Sequence, residues 1–246
     1  HLLSSFNVDF ICLVTLVISL IKARSYFCFF LLDNFLLPEF LFPFLKRFTF
    51  LASFLTSGIL GILSSFSTWF LALTPFNLSV NFLIVIFSLT DQSYKVIQAI
   101  SIPLILGFIT EVLGVNFDLI YGSYAYGDNL GPKLLGVPFI ICINWCLLTL
   151  VTADVAKRVV QNKSLRILIG GFFMMFLDVL IEISAPRFDF WEFKDGIVPL
   201  QNYISWLVVA CLAHSWYQSF KIKTNSKISF HVLVFMFVFF SIFLLI

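Results

Sequence analysis

Apolar runs close to the roughly 20 residues that a helix needs to cross a bilayer core recur along this chain, separated by short polar interruptions. They fall near residues 8–21, 48–71, 77–90, 96–114, 137–156, 166–185 and 199–220, with an eighth run at 228–246. In lipid each backbone polar group must be satisfied within its own segment, so runs of this length read as helices. The pattern predicts an all-α fold, a polytopic transmembrane helical bundle with about seven to eight spans. Residues 1–45 read differently: Lys22 and Arg24 interrupt the early apolar stretch, and Pro38 and Pro43 break its continuation. They form an N-terminal appendage with one possible span, ahead of a main membrane domain over 46–220 and a basic loop with a terminal span over 221–246. The chain opens on His1 without Met and reads as a fragment or a processed product.

The interruptions alternate in charge. Lys46-Arg47, the Lys95 region, Lys157 to Arg166 and Lys221 to Lys227 are basic, whereas 72–76, 115–136 and 186–198 are neutral or slightly acidic. Under the positive-inside rule the basic loops are cytoplasmic, and the two long acidic loops share the opposite face. That topology gathers Glu111, Asp178 and Glu182, each a turn or two before the outer end of its helix, into one half of the membrane. Asp154 lies at the other end, with Arg158 at the spacing of a helical ion pair. Ionisable groups at bilayer depth are costly, so they face a protein interior and mark a functional site or a polar network holding helices together.

Composition narrows the class further. The chain is 61% hydrophobic and 11% charged with a net charge of +2, too weak and scattered a positive charge for a nucleic-acid surface. Lipid is the partner that this balance requires. Cys12, Cys28, Cys142, Cys146 and Cys211 sit in apolar stretches without the paired spacings of a zinc site and read as buried thiols. No metal site is expected. His214 falls in the cytoplasmic half of its helix, away from the three acids, where a helix-end or packing role is expected.

The long loops are chemically specific. The first carries Tyr121, Tyr124 and Tyr126 among glycines and a proline, and the second interleaves Asp189, Trp191 and Glu192 with phenylalanines before Asn202 and Trp206. Each tyrosine is read either as part of an interfacial aromatic belt or as lining. Together with Asn144 and Trp145 on the neighbouring helix, the loops can roof an apolar cleft whose floor is the acid trio. Such a cleft suits a long apolar molecule.

The order and spacing of these pieces resemble the membrane family of carotenoid biosynthesis proteins that hydrate the acyclic end of a carotene. The resemblance covers about residues 46–220. It is carried by Thr74-Pro75-Phe76-Asn77-Leu78, Glu111-Val112-Leu113-Gly114-Val115, Tyr121-Gly122 with Tyr124 and Tyr126, and Asn129-Leu130-Gly131. Gly136-Val137-Pro138, Asn144-Trp145, Phe176-Leu177-Asp178 with Glu182, Phe188-Asp189-Phe190-Trp191 and Pro199-Leu200-Gln201-Asn202-Tyr203 continue it. Glu182-Ile183-Ser184 departs from it, since a proline is expected directly after the glutamate.

The resemblance implies a hydratase of the carotenoid 1,2-hydratase type in a bacterial or archaeal cell membrane. Its substrate would be gamma-carotene, lycopene or a similar carotenoid, other pathway enzymes are possible partners, and no cofactor is needed. The reaction protonates a terminal trisubstituted alkene and captures water on the tertiary cation. Burial and a like-charged neighbour hold one of two adjacent acids protonated, which makes Asp178 the expected acid and Glu182 or Glu111 the expected base. Aromatic faces such as Trp145, Trp191 and the loop tyrosines would stabilise the cation by about 0.5–2 kcal/mol each. Three other readings stay open: lycopene-type cyclisation, which starts with the same protonation; a membrane prenyltransferase using Asp178 and Glu182 for magnesium; and a transporter that relays protons.

Overall fold

The computed structural model describes residues 41–90 and 94–245. The span expected at 8–21 lies outside the described residues. Eight α-helices are present among them: α1 Leu41–Ile62, α2 Ser67–Ala72, α3 Thr74–Ser88, α4 Tyr94–Phe117, α5 Phe139–Val159, α6 Lys163–Ser184, α7 Leu200–Tyr217 and α8 Ser226–Leu244. The chain divides into two units, His1–Thr56 and Ser57–Ile246, with the division inside α1. Of the first unit only the opening part of α1 is described.

Four of these helices, α4, α5, α6 and α8, are long and apolar enough to cross a membrane. The apolar part of α1, Leu51–Ile62, and α3 are shorter. The 18-residue α7 carries Asn202 and His214, which lower its hydropathy although both are buried in the bundle. A hydropathy sum does not distinguish an inward polar side chain from an outward one. The expected span at 48–71 is broken in two at residues 63–66. There the Ser64 hydroxyl donates to Gly61 O at 2.7 Å and accepts from Phe66 N–H at 3.1 Å. Serine bonding of this kind competes with the helical ladder and turns the chain.

Helix α5 is the axis of the second unit and packs against α3, α4, α6, α7 and α8. Its apolar window is 83% buried, against 28% to 44% for the other three long helices. The exposed positions of those helices are large and apolar, among them Ile105, Ile109, Leu168, Phe172 and Ile183. Such surfaces match a hydrocarbon solvent, and the molecule is an all-α helical membrane protein.

The two ends of the bundle differ as the charge alternation predicts. At the basic end, Lys157 donates to Ile222 O, Arg158 to Ser226 Oγ at 2.8 Å, and Thr90 N–H to Lys223 O. The Asp154–Arg158 pair expected from spacing is replaced by other partners. Asp154 accepts from Thr224 Oγ1 at 2.6 Å and Ser229 Oγ at 2.5 Å, and the nearest cation is Lys157 at 3.7 Å. Arg158 is exposed and lies over the Phe230 ring. The hydroxyls of the loop between α7 and α8 and of α8 itself reach the buried carboxylate, while the exposed i+4 position points out of the bundle. His214, fully buried, has Nε2 3.0 Å from Thr152 Oγ1 and ties α7 to α5.

At the opposite end the long loops form two small antiparallel ladders that apolar periodicity does not announce. Strand β1, Tyr124–Tyr126, pairs with β4, Trp191–Phe193, in the register Tyr124 to Phe193, Ala125 to Glu192 and Tyr126 to Trp191. Strands β2, Lys133–Leu134, and β3, Val137–Pro138, are joined through Leu135 and Gly136, both at positive φ (52° and 83°). Positive φ at two successive positions is the conformation of a tight hairpin turn. Further bonds stitch the loops: Gly127 N–H to Phe190 O, Lys194 N–H to Ser123 O, and Asn129 Nδ2 to Phe188 O, each at 2.9 Å.

A close approach of α4 and α5 fixes the site end. A Cβ added at Gly107 would lie 2.4 Å from the Trp145 ring, so the indole packs directly on the α4 backbone. Gly107→Ala is expected to force the helices apart, costing about 1–3 kcal/mol as overpacking. A thermal melt in detergent should show a lower midpoint than wild type.

Candidate functional site

Glu111 projects from α4, and Asp178 and Glu182 from α6 one turn apart. All three are buried, and all three line one cavity at the loop end of the bundle. The cavity measures about 30 Å³, room for a water or two at about 10–15 Å³ each. Tyr121, Tyr124, Tyr126, Trp191, Asn202 and Trp206 line it along with Asn144. Lining residues that sequence patterning did not single out are apolar: Ile141, Leu148, Met174, Ile181 and Phe193. On α5, Ile141, Asn144 and Leu148 fall at i, i+3 and i+7, which is one helix face, but nothing local distinguishes that face from any other in a helix buried nearly all round.

The carboxylates are tied down by donors from four elements. Glu111 Oε2 accepts from Tyr124 at 2.5 Å and Tyr126 at 2.7 Å, and its Oε1 accepts from Trp145 Nε1 at 3.1 Å. Glu182 Oε2 accepts from Trp191 Nε1 at 2.9 Å. Asn202 Nδ2 bridges the other two acids, donating to Asp178 Oδ2 at 2.9 Å and to Glu182 Oε1 at 3.0 Å. Among the described residues Asp178 Oδ1 is therefore the one oxygen of the trio without a donor. Asn144 Oδ1, on the facing helix, also has no partner among the described residues.

Local sequence explains each placement. Strand alternation sends Tyr124 and Tyr126 to one face and Ala125 to the other, which is exposed. Both tyrosines thus reach the same oxygen of Glu111. Burial, and then the facing Glu111 carboxylate, push both phenols well above their usual range, so they stay protonated and remain donors. Tyr121 is almost fully buried and donates to Thr110 Oγ1 at 3.0 Å. The three rings therefore face the bundle interior instead of forming an interfacial belt. Trp145 lies beneath the lining and stacks on Trp206, with centroids 4.4 Å apart and planes 9° apart. Asn202 follows Pro199, which ends the loop and starts α7.

Asp189 is not brought to the cavity. It is exposed at positive φ (52°), and its Oδ2 accepts the Asp128 N–H at 2.8 Å. Its role is to clamp one loop to the other. Its interleaving with aromatic residues predicts a lining residue, whereas the strand beyond it carries Trp191 inward and leaves Glu192 outside.

A membrane helical bundle with three buried acids under an aromatic roof is the class that this fold and site define. The family model described as carotenoid biosynthesis protein matches residues 67–246, and the chain belongs to that family. Among curated proteins it is similar to a bisanhydrobacterioruberin hydratase from Haloarcula japonica. The two are 27% identical over 199 residues, which is 78% of this chain and 67% of that protein. No solved structure matches it.

The donor pattern has a measurable consequence. Hydrogen bonds to charged groups contribute about 1.5–3 kcal/mol each, and Glu111 receives three. Tyr124→Phe and Tyr126→Phe should each lower the melting midpoint in lipid nanodiscs, and the double variant should lower it further. Equal midpoints for wild type and the double variant would show that the phenols do not hold the carboxylate.

Proposed function

We propose that this protein adds water across the terminal double bond of an acyclic carotenoid end group, giving a tertiary alcohol. The observation that carries the reading is the unequal donor supply to the three acids. Glu111, with three donors, and Glu182, with one donor on each oxygen, are bonded as acceptors. Asp178 keeps Oδ1 undonated toward the cavity, the position from which a carboxylic acid can deliver a proton. Two acids one turn apart and sharing the Asn202 amide favour a single proton between them.

The steps balance without an oxidant or reductant. The Asp178 O–H bond breaks as a C–H bond forms at the less substituted alkene carbon, leaving a tertiary cation and the Asp178 carboxylate. Water then bonds to the cation and gives up a proton to Glu182. Return of that proton to Asp178 resets the pair. Glu111, held by Tyr124, Tyr126 and Trp145, is the fixed negative charge nearest the aromatic roof and favours the cation electrostatically. The Trp206 face adds a cation–π contribution. The carotenoid end enters from the lipid phase, and the unbranched Met174 side chain and the Trp206 ring are the lining groups that adapt to admit it.

The relative from Haloarcula japonica supports the hydratase reading through its name. The indole and amide N–H groups occupy three of the four Asp178 and Glu182 oxygens and leave Asp178 Oδ1 as the one open to a reacting atom. Residues 46–220 as the catalytic domain, with 1–45 and 221–246 as flanking segments, complete the proposal.

General-acid catalysis contributes about 10²–10⁴-fold. Asp178→Asn and Glu182→Gln are each expected to lower hydration by at least about 100-fold in a carotene-producing host, with normal membrane insertion. Pigment masses read the result. A product heavier by one water supports hydration, an isomeric product points to cyclisation, and wild-type rates from both variants would sink the acid assignment.

A further inference from the structure

Hydration consumes one water per double bond, and the acids lie in a cavity whose inner wall is apolar, with Leu148 and Met174 almost completely buried beneath it. Lipid on the flanks supplies little water. A second cavity, of about 220 Å³, lies on the other side of the β1–β4 ladder. It is lined by Ala125, Pro186, Asp189 and Glu192, all exposed, together with Tyr126 and Trp191. Tyr126 and Trp191 line both cavities.

These two residues are cross-strand partners with ring centroids 6.1 Å apart. Each points a polar hydrogen at an acid: Tyr126 O–H at Glu111 and Trp191 N–H at Glu182. The partition between a polar outer chamber and the reacting acids is therefore one side chain thick, and both side chains carry hydrogen-bonding tips.

Resting on the hydratase reading, we propose that this outer chamber is the water port of the site, and that water passes inward between Tyr126 and Trp191. The ligand is water itself, held by the Asp189 and Glu192 carboxylates and handed to the inner acceptors as the two tips rotate. The route keeps the substrate's apolar path from the lipid separate from the path of the nucleophile. Separation matters chemically, because a cation that meets no water loses a proton instead of gaining a hydroxyl.

Ala125 and Glu192 face each other across the ladder, are exposed, and line the outer chamber but not the inner cavity. Ala125→Trp and, independently, Glu192→Trp should plug it. The first measurement does not depend on catalysis. A thiol reporter is placed in the inner cavity by Ile141→Cys, and its reaction with silver ion is followed in lipid nanodiscs as thiol lost relative to the parent protein. Either plug is expected to slow that reaction at least about tenfold, whereas equal rates with and without both plugs would overturn the port. The second measurement is hydration of carotene, expected to slow by a similar factor. A wild-type protein that makes no hydrated product would overturn the hydratase reading, and the silver reaction would still decide the port.

Discussion

Three carboxylates buried at the loop end of a lipid-solvated bundle impose the constraint on which the rest of this structure depends. A buried carboxylate that lacks hydrogen-bond donors is among the costliest features a helical membrane protein can contain. The donors come from distant parts of the chain. Trp145 on α5, Asn202 on α7, Trp191 on β4 and the tyrosines of β1 converge on acids carried by α4 and α6. The ladder of β1 and β4 exists where it does because two strands side by side deliver phenol and indole hydrogens to neighbouring carboxylates. The Trp145–Trp206 stack and the bare backbone at Gly107 let the helices come close enough for the bonds to form.

The same constraint separates the site from the polar cluster at the other end. Asp154 is as deeply buried as the trio, but two hydroxyls and a lysine surround it, and it lines neither the inner cavity nor the outer chamber. It joins α5 to the basic loop and α8, and His214 with Thr152 joins α5 to α7. Buried polarity thus serves two purposes in one bundle. At the basic end it binds helices together. At the loop end it also lines a cavity.

Much of the fold was legible in the chain, because lipid makes hydrophobic run length a direct statement about helices. The runs at 77–90, 96–114, 137–156, 166–185 and 228–246 correspond to α3, α4, α5, α6 and α8 within a few residues. The interruption at Ser64 is not legible in the chain, because serine is common in apolar helices and its turn-forming bond depends on the local backbone. The ladders are not legible either, because their strands are two or three residues long, too short for alternation to show. The Asp154 partners differ from the spacing expectation because spacing specifies which residues share a face of one helix, not what a neighbouring element brings to that face.

The sequence by itself determined that the chain is a helical membrane protein, that three acids gather beneath two aromatic loops, and that the acids needed partners. Those conclusions rest on local properties: run length, loop charge and the cost of burying a charge. Only the tertiary structure decided which donor meets which oxygen, that Asn202 links Asp178 to Glu182, that Asp189 clamps loops away from the cavity, and that Tyr126 and Trp191 separate two chambers. Hydrogen bonds are short and directional, so their pairing is set by the packing of helices and strands far apart in the chain, which no local pattern encodes.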